Sequence, residues 1–215
     1  MASKRPDSFR IALDTLRDEL RRGVHAGGAR LTANAIALRL ILSPTPVREA
    51  LSRLAGEGLL LERRGQGFFV PALHERDLAV LFRLQRDVIQ LALASQTGPL
   101  PDLDVVLAVA SPTPEDTPTS RHLASERLFR VLVASTSPVL AHHLGRLQDQ
   151  LAPVRRLEER VIGTNADEVV GLAGALSLRD TAHLQALLNA FFERRILAAP
   201  RLAQALEATK NIESI

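Results

Sequence analysis

The sequence contains no cysteine, tryptophan or tyrosine, and each absence excludes a class of function. Without cysteine there is no disulfide, thiolate nucleophile or cysteine-ligated zinc site, and a cytoplasmic location is the default expectation. Aromatic residues make up only 3% of the chain, which disfavours stacking on single-stranded bases. No apolar run reaches the roughly 18 residues that a membrane helix needs. We therefore expect no association with a membrane.

Motifs of catalysis and secretion are also missing. There is no glycine-rich phosphate loop after a strand, no G-x-S-x-G and no H-E-x-x-H. The adjacent acids Glu158 and Glu159 are the only, and weak, candidates for catalytic residues. A solvated helix face explains them better. The opening segment MASKRPDSFR lacks the apolar core of a secretion signal. We expect a protein that is not an enzyme and uses no cofactor.

The composition indicates two globular domains of different charge. Hydrophobic residues make up 46% of the 215 positions, enough for packed cores. Residues 1–70 contain 12 Lys and Arg against 7 Asp and Glu, whereas residues 71–215 contain 15 against 17. A basic unit joined to a mildly acidic one suggests a polyanion-binding domain attached to a domain with a different function. We place the two domains at residues 1–72 and 73–215.

The segment SPTPVREALSRLAGE at residues 43–57 predicts a helix with an apolar back and a basic front. Ser43 is a good N-cap, and the prolines that follow it stand where the first turn has no N–H bond to lose. The apolar stripe consists of Val47, Leu51 and Leu54. Thr45, Arg48 and Arg53 lie on other faces. An ordinary amphipathic surface helix has the same pattern, so the surroundings of the segment decide its interpretation.

Two predicted helices precede this segment. The first spans residues 8–22, with Ser8 as a candidate cap and Gly23 as the stop. The second begins after Thr32 and runs to about Leu40. The short connection between the second helix and residues 43–57 is typical of a helix-turn-helix whose last helix enters the major groove of duplex DNA.

After Gly58 the periodicity changes from helical to extended. LLLER and FFV flank RGQG, which predicts a two-stranded hairpin with a basic, glycine-rich tip. Arg63, Arg64, Gly65 and Gln66 at this tip are candidates for contact with phosphates or the minor groove. A solvated hairpin turn is the alternative interpretation.

These segments together resemble the DNA-binding domain of GntR-type bacterial transcription regulators. The TPVREAL core with the following EGL and RGQGFFV segments carries the resemblance, which covers about residues 12–71. It implies that Arg48 reads a guanine edge, while Ser43, Thr45 and the wing at residues 64–66 engage phosphates and the adjacent minor groove.

Three positions depart from the family pattern. Pro44 stands where the family usually has an arginine, and Asn34 replaces another charged or polar contact residue. Ile41 occupies the place of the usual turn glycine, so the turn must either avoid positive φ or bear strain. Fewer cationic contacts predict DNA binding with an altered sequence preference and a flatter salt dependence.

The remainder of the chain predicts only helices. They are expected at about residues 77–95, 121–134, 138–161, 165–177, 179–196 and 199–209, with a shorter apolar segment at 102–110 and a proline-rich loop at 111–120. The predicted fold is therefore mainly α, a winged helix-turn-helix of three helices plus a β-hairpin wing followed by an antiparallel bundle of six or seven helices. A domain that only dimerises is one interpretation of this bundle.

The order of the bundle helices resembles the effector domain of the fatty-acid-regulator-like, or FCD, subgroup of the GntR family. In that subgroup an aspartate and three histidines hold a divalent metal. The corresponding positions here are Ala124 and Leu128, or Ser125 and Phe129 with a one-residue gap, followed by Val169 and Phe191. None of these side chains binds metal, which predicts a metal-free pocket that is partly filled by Phe129 and Phe191 or suits an apolar ligand.

Arginine grips carboxylates and phosphates with two parallel hydrogen bonds. The candidate effector-binding residues are Arg83, Arg86, Arg127, Arg130, Phe129 and Phe191. Surface charge explains the four arginines equally well. Gln85 stands where related domains commonly keep an arginine. The six histidines are interpreted as solvated or singly hydrogen-bonded, because the neighbours His142 and His143 diverge by about 100° on one helix.

The sequence thus predicts a cytoplasmic, sequence-specific DNA-binding transcription regulator of the repressor kind. Its expected partners are a near-palindromic double-stranded operator, a second copy of itself and a small organic acid or apolar effector. The alternative is an architectural DNA-binding dimer that senses no small molecule.

Overall fold

The computed structural model describes residues 7–96, 98, 101, 103–110, 122–163 and 166–210. The predicted proline-rich loop at 111–120 lies outside these residues. The chain divides into two compact units, one that runs up to Leu73 and includes Lys210, and one that spans His74–Thr209. In the described part of the chain, no helix is long and apolar enough to cross a membrane.

The first unit contains three helices and three short strands in the order α1, β1, α2, α3, β2, β3. Their bounds are α1 Ser8–Arg22, β1 Arg30–Leu31, α2 Ala33–Leu40, α3 Pro44–Gly56, β2 Leu61–Arg63 and β3 Gly67–Phe69. Both α2 and α3 agree with the predicted helices, and Thr32 and Ser43 are their N-caps in position, although neither side chain makes a capping hydrogen bond.

The cap of helix α1 lies one residue earlier in the chain than predicted. Asp7 is the N-cap, and its carboxylate accepts a hydrogen bond from the Phe9 N–H at 3.1 Å. The prediction that Ser8 caps the helix is wrong, because Ser8 is already the first helical residue. Gly23 ends the helix in the left-handed conformation at φ 71°, as predicted for a glycine stop.

The turn between α2 and α3 places a β-branched side chain in the left-handed region. Ile41 has φ 56° and ψ 45°. The turn therefore does not avoid positive φ, and its backbone bears the strain that a side chain meets in this region. The backbone N–H of Leu42 donates to the Ala37 carbonyl at 2.9 Å and closes the turn. The Ile41 side chain is 92% exposed, so it gains almost no packing in return.

The wing is a three-stranded antiparallel sheet in the order β1-β3-β2. The predicted two-stranded hairpin is therefore incomplete, because β1 pairs with β3 through Arg30 opposite Phe69 and Leu31 opposite Phe68. Only two residues form β1, too few to show an alternating pattern in the sequence. Through this strand the segment before α2 is hydrogen-bonded to the wing.

The core of the first unit lies between α1, α2, α3 and the inner face of the sheet. Val47, Leu51 and Leu54 are completely buried, which confirms the apolar back of α3. They pack with Leu16 of α1 and with Phe68 of β3 in one hydrophobic cluster. Burial of a leucine or valine side chain contributes on the order of 1.5–3 kcal/mol.

The described residues of the second unit form helices and the turns between them, and they include no strand. Its helices are α4 Glu75–Ala94, α5 Leu103–Ala110, α6 His122–Ala134, α7 Pro138–Ile162, α8 Ala166–Ser177, α9 Thr181–Leu197 and α10 Ala199–Lys210. Helix α5 lies in the apolar segment at 102–110, and each of the others agrees with a predicted helix to within two residues, which confirms the predicted helical bundle. Helix α4 packs against α6, α7 and α9, α8 against α9, and α5 against α6 and α8.

Replacement of Ile41 by glycine is expected to stabilise the first unit. Glycine adopts φ 56° without steric cost, whereas an L-residue pays about 1 kcal/mol or more there. We expect Ile41→Gly to raise the free energy of unfolding by roughly 0.5–1 kcal/mol in urea titrations followed by circular dichroism. Ile41→Ala is the matched control, because it removes the branched side chain and keeps the strained backbone. A gain from alanine equal to that from glycine would contradict this explanation.

Candidate nucleic-acid interface

The outer surface of α3 is polar at its beginning. Ser43, Thr45 and Arg48 are exposed, since the opposite stripe of the helix is buried against α1 and α2. Pro44 starts the helix at N1 and costs no intrahelical hydrogen bond there. The N-terminus of a helix carries a partial positive charge, and the Ser43 hydroxyl makes no capping bond. This end of α3 therefore offers a positive, hydrogen-bonding surface to an anion.

One buried carboxylate fixes α2 on α1. Glu19 accepts hydrogen bonds from both terminal nitrogens of Arg39, one of them at 2.8 Å, and from Nε2 of His25 at 2.9 Å. Burial raises the pKa of Glu19, but the hydrogen bonds from Arg39 and His25 outweigh burial and hold that pKa below its usual value. The same pairing raises the pKa of Arg39. The pair therefore stays ionised and ties the helix-turn-helix to α1.

A second carboxylate holds the far end of α3. Glu57, the C-cap of α3, binds Arg17 of α1 at 2.7 Å and Arg53 of α3 at 2.8 Å. Arg53, predicted to contact DNA, thus has a structural partner one turn away, although 61% of its side chain is exposed. Together Glu19 and Glu57 brace α2 and α3 against α1.

The wing-tip residues that were predicted to contact phosphates or the minor groove are exposed. Arg64, Gly65 and Gln66 are exposed, and the Gln66 N–H donates to the Arg63 carbonyl at 2.9 Å. Gly65 has φ 74°, a conformation that the tight turn requires and that a side chain would strain. Arg63 does not extend freely, because its guanidinium lies over the Phe69 ring, 4.6 Å from the centroid.

Arg30 is an exposed cation at the wing that the sequence reasoning did not select. It lies on β1, and its Nε is 3.7 Å from the point that a Cβ on Gly67 would occupy. The guanidinium therefore rests over the wing backbone beside the tip. The third strand brings it there, and the sequence carried no signal for that strand.

Ion pairing separates the arginines of the first unit into two groups. Several of them have a carboxylate partner, namely Arg10, Arg17, Arg22, Arg39 and Arg53. Arg30, Arg48 and Arg64 have no carboxylate partner among the residues that the structure describes. One of these three lies on α3 and two lie at the wing. An exposed guanidinium without a partner is available to neutralise a phosphate or to read a base.

The predicted effector arginines do not meet in the interior of the second unit. Arg83 is exposed on α4, and Arg86 pairs with Asp87 at 3.1 Å and Glu193 at 3.0 Å. Arg130 is exposed and donates to Gln148 at 3.1 Å, while Arg127 is half-buried.

The interior contains other charges, which the sequence reasoning missed. Arg155, Glu158 and Arg195 are all fully buried. Arg195 donates to Glu158 at 2.9 Å and to Glu168 at 3.0 Å, and Arg155 donates to the side-chain oxygen of Gln85. The interpretation of Glu158 as part of a solvated helix face is therefore wrong, while its neighbour Glu159 is exposed.

An aromatic cluster lies beside these charges. Phe129 meets Phe191 edge to face with 5.3 Å between ring centroids, and both contact Phe192. The Arg195 guanidinium lies 3.3 Å from the centroid of Phe191. Phe129 and Phe191 are buried together, as expected for side chains that fill a pocket.

The residues in this interior do not suit a divalent metal. Leu128, Val169 and Phe191 are buried and apolar at the positions where the FCD subgroup keeps ligands. The described residues contain no group of three or more His, Cys, Asp or Glu that could hold a metal ion. The buried guanidiniums of Arg155 and Arg195 would also repel a cation.

Comparison with known proteins gives consistent relatives. Residues 11–70 match the family described as Bacterial regulatory proteins, gntR family. The chain is 30% identical over 145 residues to the HTH-type transcriptional regulator McbR of Escherichia coli (strain K12), covering 64% of this chain and 66% of that protein. The solved structure of E. coli McbR/YncC superposes with a TM-score of 0.70 at 21% identity, over 94% of this chain and 99% of that one.

A second solved structure, a transcriptional regulator GntR from Rhodococcus sp. RHA1, gives a TM-score of 0.74 at 21% identity, over 89% of this chain and 96% of that one. At this identity the two structures establish the fold alone, and they confirm the predicted winged helix followed by a helical domain. The sequence alignment spans just under two thirds of McbR. The relatives are named as transcriptional regulators, a class of protein that is not enzymatic.

Replacement of Glu19 by glutamine is expected to weaken the first unit in a pH-dependent manner. Because the folded-state pKa of Glu19 is lowered, its contribution is present above about pH 4.5 and is lost as the pH falls through that lowered pKa. We expect Glu19→Gln to lower the free energy of unfolding near neutral pH by about 2 kcal/mol. Urea titrations at several pH values should show the difference from wild type shrinking in acid.

The matched control is Asp14→Asn, which removes an exposed carboxylate 3.9 Å from Arg10. An exposed pair contributes little, so this variant should follow the wild-type curve. A Glu19→Gln difference that stays constant from neutral to acid pH would contradict the ionised clamp.

Proposed function

Because residues 11–70 match the gntR family of bacterial regulatory proteins, we propose that the chain is a sequence-specific DNA-binding regulator of transcription. It acts in the cytoplasm as a homodimer, of the repressor kind, on a near-palindromic operator. Its helical unit senses a small organic effector without a metal. The observation that carries the DNA-binding proposal is the group of exposed arginines Arg30, Arg48 and Arg64, which lack a carboxylate partner among the described residues.

Helix α3 reads the major groove in this proposal. Arg48 donates both terminal N–H groups to O6 and N7 of a guanine, the commonest specific contact between an arginine and DNA. Ser43 and Thr45 at the start of the helix donate to phosphates, where the partial positive charge of the helix end also acts. The bracing of α3 on α1 through Glu57 supports this role, since base readout requires a fixed helix orientation.

The wing adds contacts that do not depend on sequence. Arg64 and Gln66 contact phosphates or the minor groove edge, and Gly65 lets the backbone approach the duplex. Arg30 joins them from β1. Arg63 contributes mainly by its stacking on Phe69, and Arg53 contributes mainly through Glu57. Among the residues proposed to contact DNA, Arg30 is therefore added and Arg53 has a smaller role.

The dimer places two recognition helices on one face of the duplex, so the operator has two related half-sites. Regulation then works by a shift of population between arrangements of the two DNA-binding units. One arrangement binds DNA and the other does not. An effector releases the operator only if its affinity is higher for the arrangement that does not bind DNA.

The interior of the second unit supports an effector of polar or mixed character. The side-chain N–H₂ of Gln85 is buried and has no hydrogen-bond partner among the described residues. A carboxylate or carbonyl oxygen of an effector would accept a hydrogen bond from it, beside the guanidinium of Arg155. Phe129 and Phe191 provide an apolar wall nearby. These residues, rather than Arg83 or Arg86, are the best candidates for effector contact.

A DNA-binding dimer that senses no small molecule is the second candidate. It is favoured by the ion pairs between Arg195, Glu158 and Glu168 and by the aromatic cluster, which fill the interior from within the chain. A buried network of this kind stabilises one arrangement without any ligand.

The arginine assignments predict two different losses of DNA binding. Arg48→Ala is expected to reduce the preference for operator over unrelated duplex by about tenfold to a hundredfold, because one bidentate base contact is worth roughly 1–3 kcal/mol. Arg30→Ala is expected to weaken binding to both duplexes equally and to reduce the salt slope by about 0.9, as for one phosphate contact. Fluorescence anisotropy titrations at several salt concentrations measure both quantities.

Arg10→Ala is the matched control, because Arg10 is exposed in the same unit and pairs with Asp14. It should leave affinity, preference and salt slope unchanged within error. Unaltered operator preference in Arg48→Ala would reject the recognition-helix assignment, and an unaltered salt slope in Arg30→Ala would reject the phosphate contact.

An effector is expected to raise the melting temperature of the purified chain in a screen of organic acids, acyl compounds and sugars. Gln85→Met should abolish that shift while its own melting temperature without ligand reports any general damage. Arg201→Ala, an exposed change on α10, is the control and should keep the shift. If no class of compound raises the melting temperature, the second candidate is favoured, a DNA-binding dimer that senses no small molecule.

A further inference from the structure

Helix α3 has a carboxylate in the middle of its outward side. The side directly opposite the buried stripe consists of exposed residues at helical spacing, which we call the α3 outer stripe: Thr45, Glu49, Ser52 and Gly56. Three of them are small, and a Cβ placed on Gly56 would meet no atom within 4 Å. Glu49 is therefore the longest side chain on this stripe and extends furthest from the helix.

Glu49 is not paired within the chain as an ordinary surface acid would be. A glutamate on a helix surface is stabilised by an arginine or lysine four residues later. Arg53 stands at that position, but its Nε donates to Oε1 of Glu57 at 2.8 Å instead. Among the residues that the structure describes, Glu49 has no hydrogen bond or ion pair. Its carboxylate can therefore accept hydrogen bonds from a group outside the chain.

A carboxylate on this stripe opposes binding to DNA in general. The first unit is basic overall, and an acid on its DNA-facing surface is repelled by every phosphate. The repulsion is offset only where the duplex offers a hydrogen-bond donor to the acid. In the major groove such donors are the exocyclic amino groups of cytosine and adenine. A base of this kind is therefore the group on DNA that suits Glu49.

We propose that Glu49 determines sequence preference by accepting a hydrogen bond from N4 of a cytosine in the major groove. The proposal rests on the DNA-binding function proposed above and names a second base that α3 reads. Cytosine is favoured over adenine by the neighbouring groups. The adenine amino group lies between two acceptors, N7 of adenine and O4 of thymine, which repel a carboxylate, whereas the cytosine amino group has an acceptor on one side only.

Arg48 and Glu49 read neighbouring positions in this arrangement. Adjacent Cα atoms are about 3.8 Å apart, close to the rise of roughly 3.4 Å for one base-pair step. Their side chains leave the helix about 100° apart, so they reach different base pairs. The expected cytosine is thus about one or two steps from the guanine proposed for Arg48. A donor matched to guanine beside an acceptor matched to cytosine fixes both the bases and their order.

Selection from a duplex library tests the assigned base. The probe is a duplex with about 20 randomised base pairs, enough for two half-sites one helical turn apart, enriched on the full chain at fixed salt and then sequenced. Wild type is expected to select the guanine and the cytosine. Glu49→Ala should lose the cytosine and keep the guanine. Glu49→Gln should shift the selected base towards adenine, because a glutamine amide matches N6 and N7 of adenine.

Affinities for single duplexes provide a second readout. Replacing the selected C·G pair by T·A exchanges an amino donor for a carbonyl acceptor, so wild type should bind about tenfold more weakly. Glu49→Ala should bind both duplexes equally. The same variant should bind an unrelated duplex severalfold more tightly than wild type, because a charge that repels phosphates is gone. Fluorescence anisotropy measures these dissociation constants.

The matched control is Asp14→Asn, which removes an exposed carboxylate from α1 and changes the net charge by the same amount. It should select the same sequence as wild type. Circular dichroism melts show that each variant is folded, and a fold defect cannot switch the selected base from cytosine to adenine.

The outcomes separate this proposal from the function on which it rests. If wild type enriches no sequence from the library, sequence-specific DNA binding is rejected together with the role of Glu49. If wild type enriches a sequence that Glu49→Ala also selects unchanged, only the role of Glu49 is rejected. Loss of the selected guanine in Arg48→Ala tests the recognition helix independently of Glu49.

Discussion

The seating of α3 against α1 is the constraint on which the first unit depends. Val47, Leu51 and Leu54 have no exposed surface, so α3 cannot rotate without opening the core. Glu57 reinforces this packing through Arg17 of α1, and Glu19 of α1 holds the neighbouring α2 through Arg39. Because the back of α3 is fixed by shape and by charge, the direction of its outer face is fixed as well. Base reading, the role proposed for Arg48, needs that rigidity, since a small rotation would misalign the hydrogen bonds.

Charge pairing gives the arginines of both units distinct roles. In the first unit, Arg17 and Arg39 pair with buried carboxylates and brace the fold, whereas Arg48 is exposed without a carboxylate partner among the described residues. In the second unit the same chemistry acts in the interior, where Arg155 and Arg195 are fully buried and make hydrogen bonds to Gln85, Glu158 and Glu168. Removal of one partner from such a set leaves a buried charge uncompensated, which is strongly unfavourable. The buried set therefore specifies how α4, α7, α8 and α9 fit together.

Much of the fold could be predicted because it depends on neighbours in the chain. Helix periodicity, the Gly23 stop and the proline start of α3 are local features, and each was found where the sequence indicated. The cap of α1 was misassigned by one residue, since Asp7 and Ser8 are both good capping residues. The third strand was missed because a two-residue strand has no period. Ile41 was recognised as a position of conflict, but only the backbone shows that the turn accepts the strained conformation.

By itself the sequence determined where helices begin and end, which faces of them are apolar, and which segment reads DNA in the family it resembles. Those properties arise from residues a few positions apart. The tertiary structure decided which charges find partners, because Glu19 and Arg39 are 20 residues apart, Glu158 and Arg195 are 37 apart, and Gln85 and Arg155 are 70 apart. The sequence indicated a surface acid at Glu158, which folding buries against Arg195, and it gave no sign of the Glu57 carboxylate that pairs with Arg53. The residues that neighbour a charged side chain in the sequence do not show which group it will pair with. Only the folded chain therefore distinguishes a charge that holds the fold together from one that is available for binding.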